Sequence, residues 1–198
     1  MSEVPATELD AVNVILTNMG EAPINSLDGD LPLDALKAQG VLVEISRAIQ
    51  SRGWFWNREI QTLALDLSNK IPLPSNTLEV KSTSRSPFLT NRSGYLYRIE
   101  VDNNGDEFTE DQQVELTLFL PHEDLPPTAK RYITLKAARI FQARELGNEL
   151  LLRNDTSEEQ FAWHDIRAED NANSYRNLQK TWSVAMVTDR NSPVKVGY

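Results

Sequence analysis

Cysteine is absent from this sequence of 198 residues, and histidine occurs only twice. Without thiols there is no disulfide, no thiolate nucleophile and no cysteine-based zinc site. Redox compartment stays open, because a cysteine-free chain tolerates either state. Basic residues are scarce: 20 Lys and Arg stand against 29 Asp and Glu, a formal net charge of −9. A protein that grips nucleic acid through its phosphates needs the opposite balance. With only 8 glycines, the chain holds no phosphate-cradling loop, dinucleotide fingerprint or calcium loop. No stretch reaches the roughly 18 apolar residues of a membrane span. The first thirty residues show no basic stretch leading into an apolar one, so the expectation is a soluble intracellular product. What is present suits a folded chain. Hydrophobic residues make up 40%, enough for a sizeable core in one domain or two small ones.

Helical spacing opens the chain. Leu9, Val12, Leu16 and Met19 predict a helix over residues 7–19, with Thr7 and Asp10 as a near capping box. Gly20 stands where a left-handed cap is wanted, and residues 21–32, with Pro23, read as a turn-rich loop. A second helix is expected over residues 33–52, with Ala38, Val41, Ile45, Ala48 and Ile49 inward and Gly53 closing it. Residues 54–67 then read as extended, with Leu63, Leu65 and Leu67 on one face. Further strands are expected over residues 77–83 and 94–101, the latter with Tyr95, Tyr97, Ile99 and Val101 on one face. A turn at Asp102-Asn103-Asn104-Gly105 leads to a strand through Val114, Leu116, Leu118 and Leu120. Residues 84–93 read as an exposed loop.

Helical patterning returns after Pro126-Pro127, through Ile133, Ala137, Ile140 and Phe141 to Gly147. Thr156-Ser157-Glu158-Glu159 reads as a capping box for a last helix over residues 157–181. Along it Phe161, Ala168, Tyr175 and Trp182 recur every seven residues, with His164, Asn171 and Leu178 as companions. A seam that polar cannot be buried all round, so one side should face water or another chain. Residues 183–198 read as an extended tail that is stable only if it docks. The expected fold is α+β: residues 1–53 and 126–182 supply helices that complete one bundle, and residues 54–125 form an inserted antiparallel β domain. Charge is uneven along the chain, at −5 over residues 1–53, −6 over 54–125, +1 over 126–182 and +1 in the tail.

Candidate chemistry is thin. His122 and His164 each sit beside a carboxylate on the same element, and ligands on one element do not converge on a metal. Both read as structural or surface histidines, and no Gly-x-Ser-x-Gly elbow accompanies them. Glu158 with Glu159, Asp165 with Glu169, and Glu110 with Asp111 are adjacent carboxylates. A hydrolase acting on carbohydrate needs two such groups across a cleft, one of them desolvated; these read as solvated faces. No catalytic, metal or cofactor-binding residue is assigned. Trp54-Phe55-Trp56 reads as a core anchor between helix and strand, or as a contact hot spot. The candidate interface residues are Trp54, Trp56, Phe161, His164, Tyr175, Trp182 and Tyr198.

Several segments, in order, resemble a known family. They are Ala11-Val12-Asn13-Val14-Ile15-Leu16, then Met19-Gly20-Glu21-Ala22-Pro23, then Gly53-Trp54-Phe55-Trp56-Asn57-Arg58-Glu59. Ile71-Pro72-Leu73-Pro74, Gly94-Tyr95-Leu96-Tyr97 and Leu125-Pro126-Pro127 follow, then Tyr132-Ile133 and Ala137-Ala138-Arg139. Together they resemble the tail tubular protein A family, the adaptor or gatekeeper ring of short-tailed bacteriophages, from about residue 7 to residue 178. The motif residues include Gly20, Pro23, Gly53, Asn57, Pro74, Tyr97 and Pro126, and they are structural. The resemblance implies a helical bundle with a β domain, and a ring of a dozen copies in the virion tail, made in the host cytoplasm. It further implies a portal protein on one face, a nozzle protein on the other, tail fibres at their junction, and DNA passing through the lumen without specific binding. The carbohydrate hydrolase is the alternative.

Overall fold

The computed structural model describes residues 4–83, 88–99, 105–146 and 149–178. Two helices, α1 (Glu8–Asn18) and α2 (Leu33–Gln50), come first. Five strands follow: β1 (Arg58–Leu63), β2 (Thr77–Ser82), β3 (Leu89–Arg92), β4 (Tyr95–Arg98) and β5 (Gln112–Leu118). A short 3-10 turn at His122–Asp124 leads to α3 (Pro127–Leu146) and α4 (Glu149–Leu178). The fold is α+β, with N- and C-terminal helices flanking the β region. The sheet runs β1-β5-β2, antiparallel throughout, and β3 pairs with β4 as a separate hairpin.

The helices share one apolar cluster. Ile15 and Leu16 of α1, Leu42 and Ile45 of α2, Ile133 and Phe141 of α3, and Ile166 of α4 are all buried in it. The strands build a second cluster around Ile71, Leu96, Val114 and Leu116. Leu120, just after β5, packs against both. Thr7 caps α1 with the full reciprocal box: its hydroxyl accepts from Asp10 N–H at 3.1 Å, and its own N–H donates to Asp10 at 3.0 Å. Gly20, with φ +82°, follows the helix.

Two buried amides join bundle to sheet. Gln50 ends α2, and its Oε1 accepts from Leu120 N–H at 2.8 Å while Nε2 donates to the Leu120 carbonyl at 2.9 Å. Asn57 holds the turn between α2 and β1. Its Oδ1 accepts from Trp54 N–H at 2.8 Å, and its Nδ2 donates to the Gln50 and Leu118 carbonyls, both at 2.9 Å. Gly53 makes the turn possible: its φ is +70°, and a Cβ there would stand 3.2 Å from Thr117 Oγ1.

Several expectations need correction. Residues 54–57 turn rather than extend, because Asn57 ties the chain back on itself. Leu67 is fully exposed, since Asp66 accepts from the N–H groups of Ser68 and Lys70 and swings the chain outward after β1. Ala48 of α2 is exposed. The expected loop over residues 84–93 contains β3, drawn into a hairpin by positive φ at Ser93 and Gly94. On β4 the buried residue is Leu96, and Tyr95 faces out. Its tyrosine faces can lie outward because cations cover them, Arg92 at 3.8 Å from Tyr97 and Lys70 at 5.9 Å from Tyr95. The last helix starts at Glu149 instead of residue 157, since the Glu-Leu-Leu-Leu-Arg run before Thr156 is made of strong helix formers. Its buried side carries Ala162 and Ile166, while Phe161, His164, Ala168 and Asn171 are exposed, as the polar pattern of that side requires. Val101, residues 102–104, Gly147 and the tail lie outside the described residues.

His122 is buried between the start of α1 and α3. Burial, and then the Lys130 ammonium, push its pKa below the ordinary value of 6.5. Neither ring nitrogen has a well-formed hydrogen bond among the described residues, and the Pro5 carbonyl supports the charged form only weakly.

Two outcomes are expected. Asn57→Leu strands the Trp54 N–H and the Leu118 carbonyl, while the Gln50 carbonyl keeps Gly53 N–H at 3.1 Å; at about 1–3 kcal/mol for each unpaired group, urea unfolding should show a loss of about 2 kcal/mol or more. His122 is neutral in the folded state to a lower pH than in the unfolded chain. The unfolded chain therefore binds the extra proton first, and stability falls as pH drops below 6.5. His122→Phe should flatten the change in urea midpoint between about pH 7.5 and 5.5 that this linkage produces.

Candidate functional site

Trp54, Trp56 and Trp163 form one aromatic group beside the joint. The Trp54 indole donates to the Ile49 carbonyl at 2.8 Å and lies nearly parallel to Trp56, with centroids 6.3 Å apart. Trp163 of α4 meets Trp54 edge-on at 5.6 Å and lies 5.1 Å from Tyr132 of α3. Trp54 is buried, so the structure puts it in the core instead of on a contact surface; Trp56 is half-buried. The group fastens α3 and α4 to the turn that carries Asn57.

Outside this group lies an open cleft of about 380 Å³, lined by Arg52, Trp163, Arg167, Asp170 and Asn171. Arg52 and Arg167 stand over the Trp163 ring at 4.9 and 5.9 Å. Asp170 is occupied, accepting from Phe55 N–H at 2.9 Å. Two guanidinium groups on an indole suit a planar or anionic group of modest size.

The carboxylate pairs are split by the fold. Glu159 binds Arg139 and lies 3.8 Å from Lys136, which clamps α4 to α3. Glu169 accepts from the Thr128 hydroxyl, and Asp111 accepts from Leu65 N–H at 3.1 Å. Their expected partners Glu158, Asp165 and Glu110 are exposed. One member of each pair is therefore structural and the other solvated, which is not the arrangement of an acid and a nucleophile facing across a cleft. Among the described residues, no three acidic or histidine side chains converge to hold a metal.

The remaining candidates divide as follows. Phe161 is 68% exposed, and His164 is exposed beside it on α4. Tyr175 lies on the same helix, while Trp182 and Tyr198 lie outside the described residues. Among the motif residues, Pro23 is exposed in the loop after α1. The Pro74 carbonyl accepts from Thr77 N–H at 3.0 Å, and the Pro126 carbonyl accepts from Lys130 N–H at 3.0 Å at the start of α3. Tyr97 fills the space left by the absent side chain of Gly105.

Three features go beyond the sequence pattern. Trp163 links three elements. Gln50 is a second, and its signal is its place on the inward side of α2 beside Ser46 and Ile49. The third is an apolar face on the outside of α2, where Leu33, Leu36 and Val43 are 66%, 50% and 39% exposed. Its signal was their spacing of three and seven residues.

The chain is 25% identical over 142 residues to tail tubular protein A of Klebsiella phage KP34, covering 72% of this chain and 75% of that protein. The family described as Tail tubular protein matches residues 9–175, from α1 through most of α4 and thus across bundle, sheet and joint. The chain belongs to the tail tubular protein family.

Proposed function

We propose that this tail tubular protein, a structural component of a bacteriophage tail, is the adaptor subunit that joins the portal to the tail nozzle. A dozen copies form a ring under the portal, the nozzle protein binds the opposite face, and tail fibres dock at the junction. The genome is retained above this ring and leaves through its lumen. The observation that carries the reading is the family match over residues 9–175, which spans both apolar clusters and the joint between them.

Charge supports the channel role. With −9 per chain, a ring of this size would carry on the order of −100 charges before counterions. A negative lining repels the phosphate backbone, so DNA slides without adhering. The loop between α1 and α2 offers exposed carboxylates for this, Glu21, Asp28 and Asp30, none of which has an ion-pair partner among the described residues. The hydrolase alternative has no supporting arrangement among the described carboxylates.

Virions carrying Glu21→Gln, Asp28→Asn and Asp30→Asn together should assemble normally and eject DNA more slowly than the parent, measured as release from single particles. An unchanged ejection rate would remove this loop from the channel lining. Tailed, DNA-filled, infectious particles made without the chain would overturn the adaptor role itself.

A further inference from the structure

Two helix faces point away from the core with the same spacing. On α2 the outward residues are Leu33, Leu36, Gly40 and Val43; on α4 they are Phe161, His164, Ala168 and Asn171. Both advance by three, four and three residues, the spacing of a seam that receives another helix. Their relief is opposite. Gly40 has nothing within 4 Å of where a Cβ would stand, so α2 is notched there. The notch opens on a groove of about 340 Å³ between α2 and α3, with Val41 and Phe141 in its lining. The ion pairs Lys37–Glu145 (3.0 Å) and Glu44–Arg144 (2.8 Å) bound it. Phe161 is the counterpart, a large ring standing out from α4.

The two faces cannot meet within one chain. Toward α4, α3 turns Thr128, Lys136 and Arg139. Toward α2 it turns Phe141, Arg144 and Glu145. At 3.6 residues per turn these two sets lie on opposite sides of α3. The outer faces of α2 and α4 therefore point away from each other. Unlike patches on opposite flanks pair head to tail between copies, and such contacts close into rings when the rotation allows.

We infer that the notch at Gly40 on α2 receives Phe161 on α4 of the next copy of this chain. The inference rests on the ring reading and names its subunit contact. Charge agrees with it. Glu158 and Asp165 lie one turn either side of Phe161, and both are exposed; Lys37 and Arg144 stand on the rim of the notch. Their present partnerships are solvent-exposed pairs, so exchanging partners across an interface costs little. Ala168, two turns along α4 from Phe161, is small enough for close approach of the helices. The aromatic ring in its notch forms the centre of the contact, and the charges form its rim.

Gly40→Trp fills the notch, and Phe161→Glu removes the ring. Gly40 faces open space and Phe161 is exposed, so both variants should melt as the parent does. Under conditions where the parent assembles, alone or with its portal protein, light scattering should show each variant self-associating at least about tenfold more weakly. Mixed in equal amounts, the variants should form a dimer and nothing larger, because each retains the one face that the other has lost. Either variant assembling as the parent does, or a mixture that stays monomeric, overturns this contact, and a parent that still assembles then leaves the ring reading standing. A parent that never self-associates, with or without portal, overturns both.

Discussion

Two side-chain amides, Gln50 and Asn57, hold the bundle and the sheet in register. Each is buried, and each uses its oxygen and its nitrogen on backbone groups of the other part of the chain or of the turn between them. A buried polar group is stabilising only when it is satisfied, and destabilising by more than it contributed when one partner is lost. The joint is therefore all or none. The Trp54, Trp56 and Trp163 group and the cleft outside Trp163 are built around that eight-residue span from Gln50 to Asn57.

A fixed joint has a consequence for assembly. The helical cluster and the strand cluster meet at Leu120 and do not share a mobile linker there. The outer faces of α2 and α4 are then held at a set angle to the sheet, and a ring built from them repeats that angle in every copy. The chain is acidic in its first two segments and nearly neutral in its C-terminal helices. In the proposed ring, that unevenness would let part of the surface repel DNA while another part meets a neighbouring copy.

The elements with one clear period were legible from the residues. α1, α2, α3 and β5 each carry an apolar stripe, Thr7 caps α1, and Gly20 and Gly53 follow the ends of α1 and α2. The α+β order followed from them. The hairpin of β3 and β4 was obscured because its outward tyrosines are covered by cations, a tertiary arrangement that alternation alone does not reveal. The start of α4 was misplaced because Thr156-Ser157-Glu158-Glu159 has the chemistry of a cap but lies inside a run already helical. The polar pattern on α4 excludes burial all round, and Phe161, His164, Ala168 and Asn171 are exposed. Gln50 and the outer face of α2 were missed for a shared reason. A polar residue inside and apolar residues outside both reverse the usual rule, and such reversals mark a joint or a contact.

The most direct measurement is a microscopy reconstruction of the chain bound to its portal protein. The account predicts a closed ring in which the outer face of α2 in each copy lies against α4 of the next, with the bundle and sheet at the same angle throughout. A portal that binds no ring, or a ring in which those two helix faces are bathed in solvent, would contradict it.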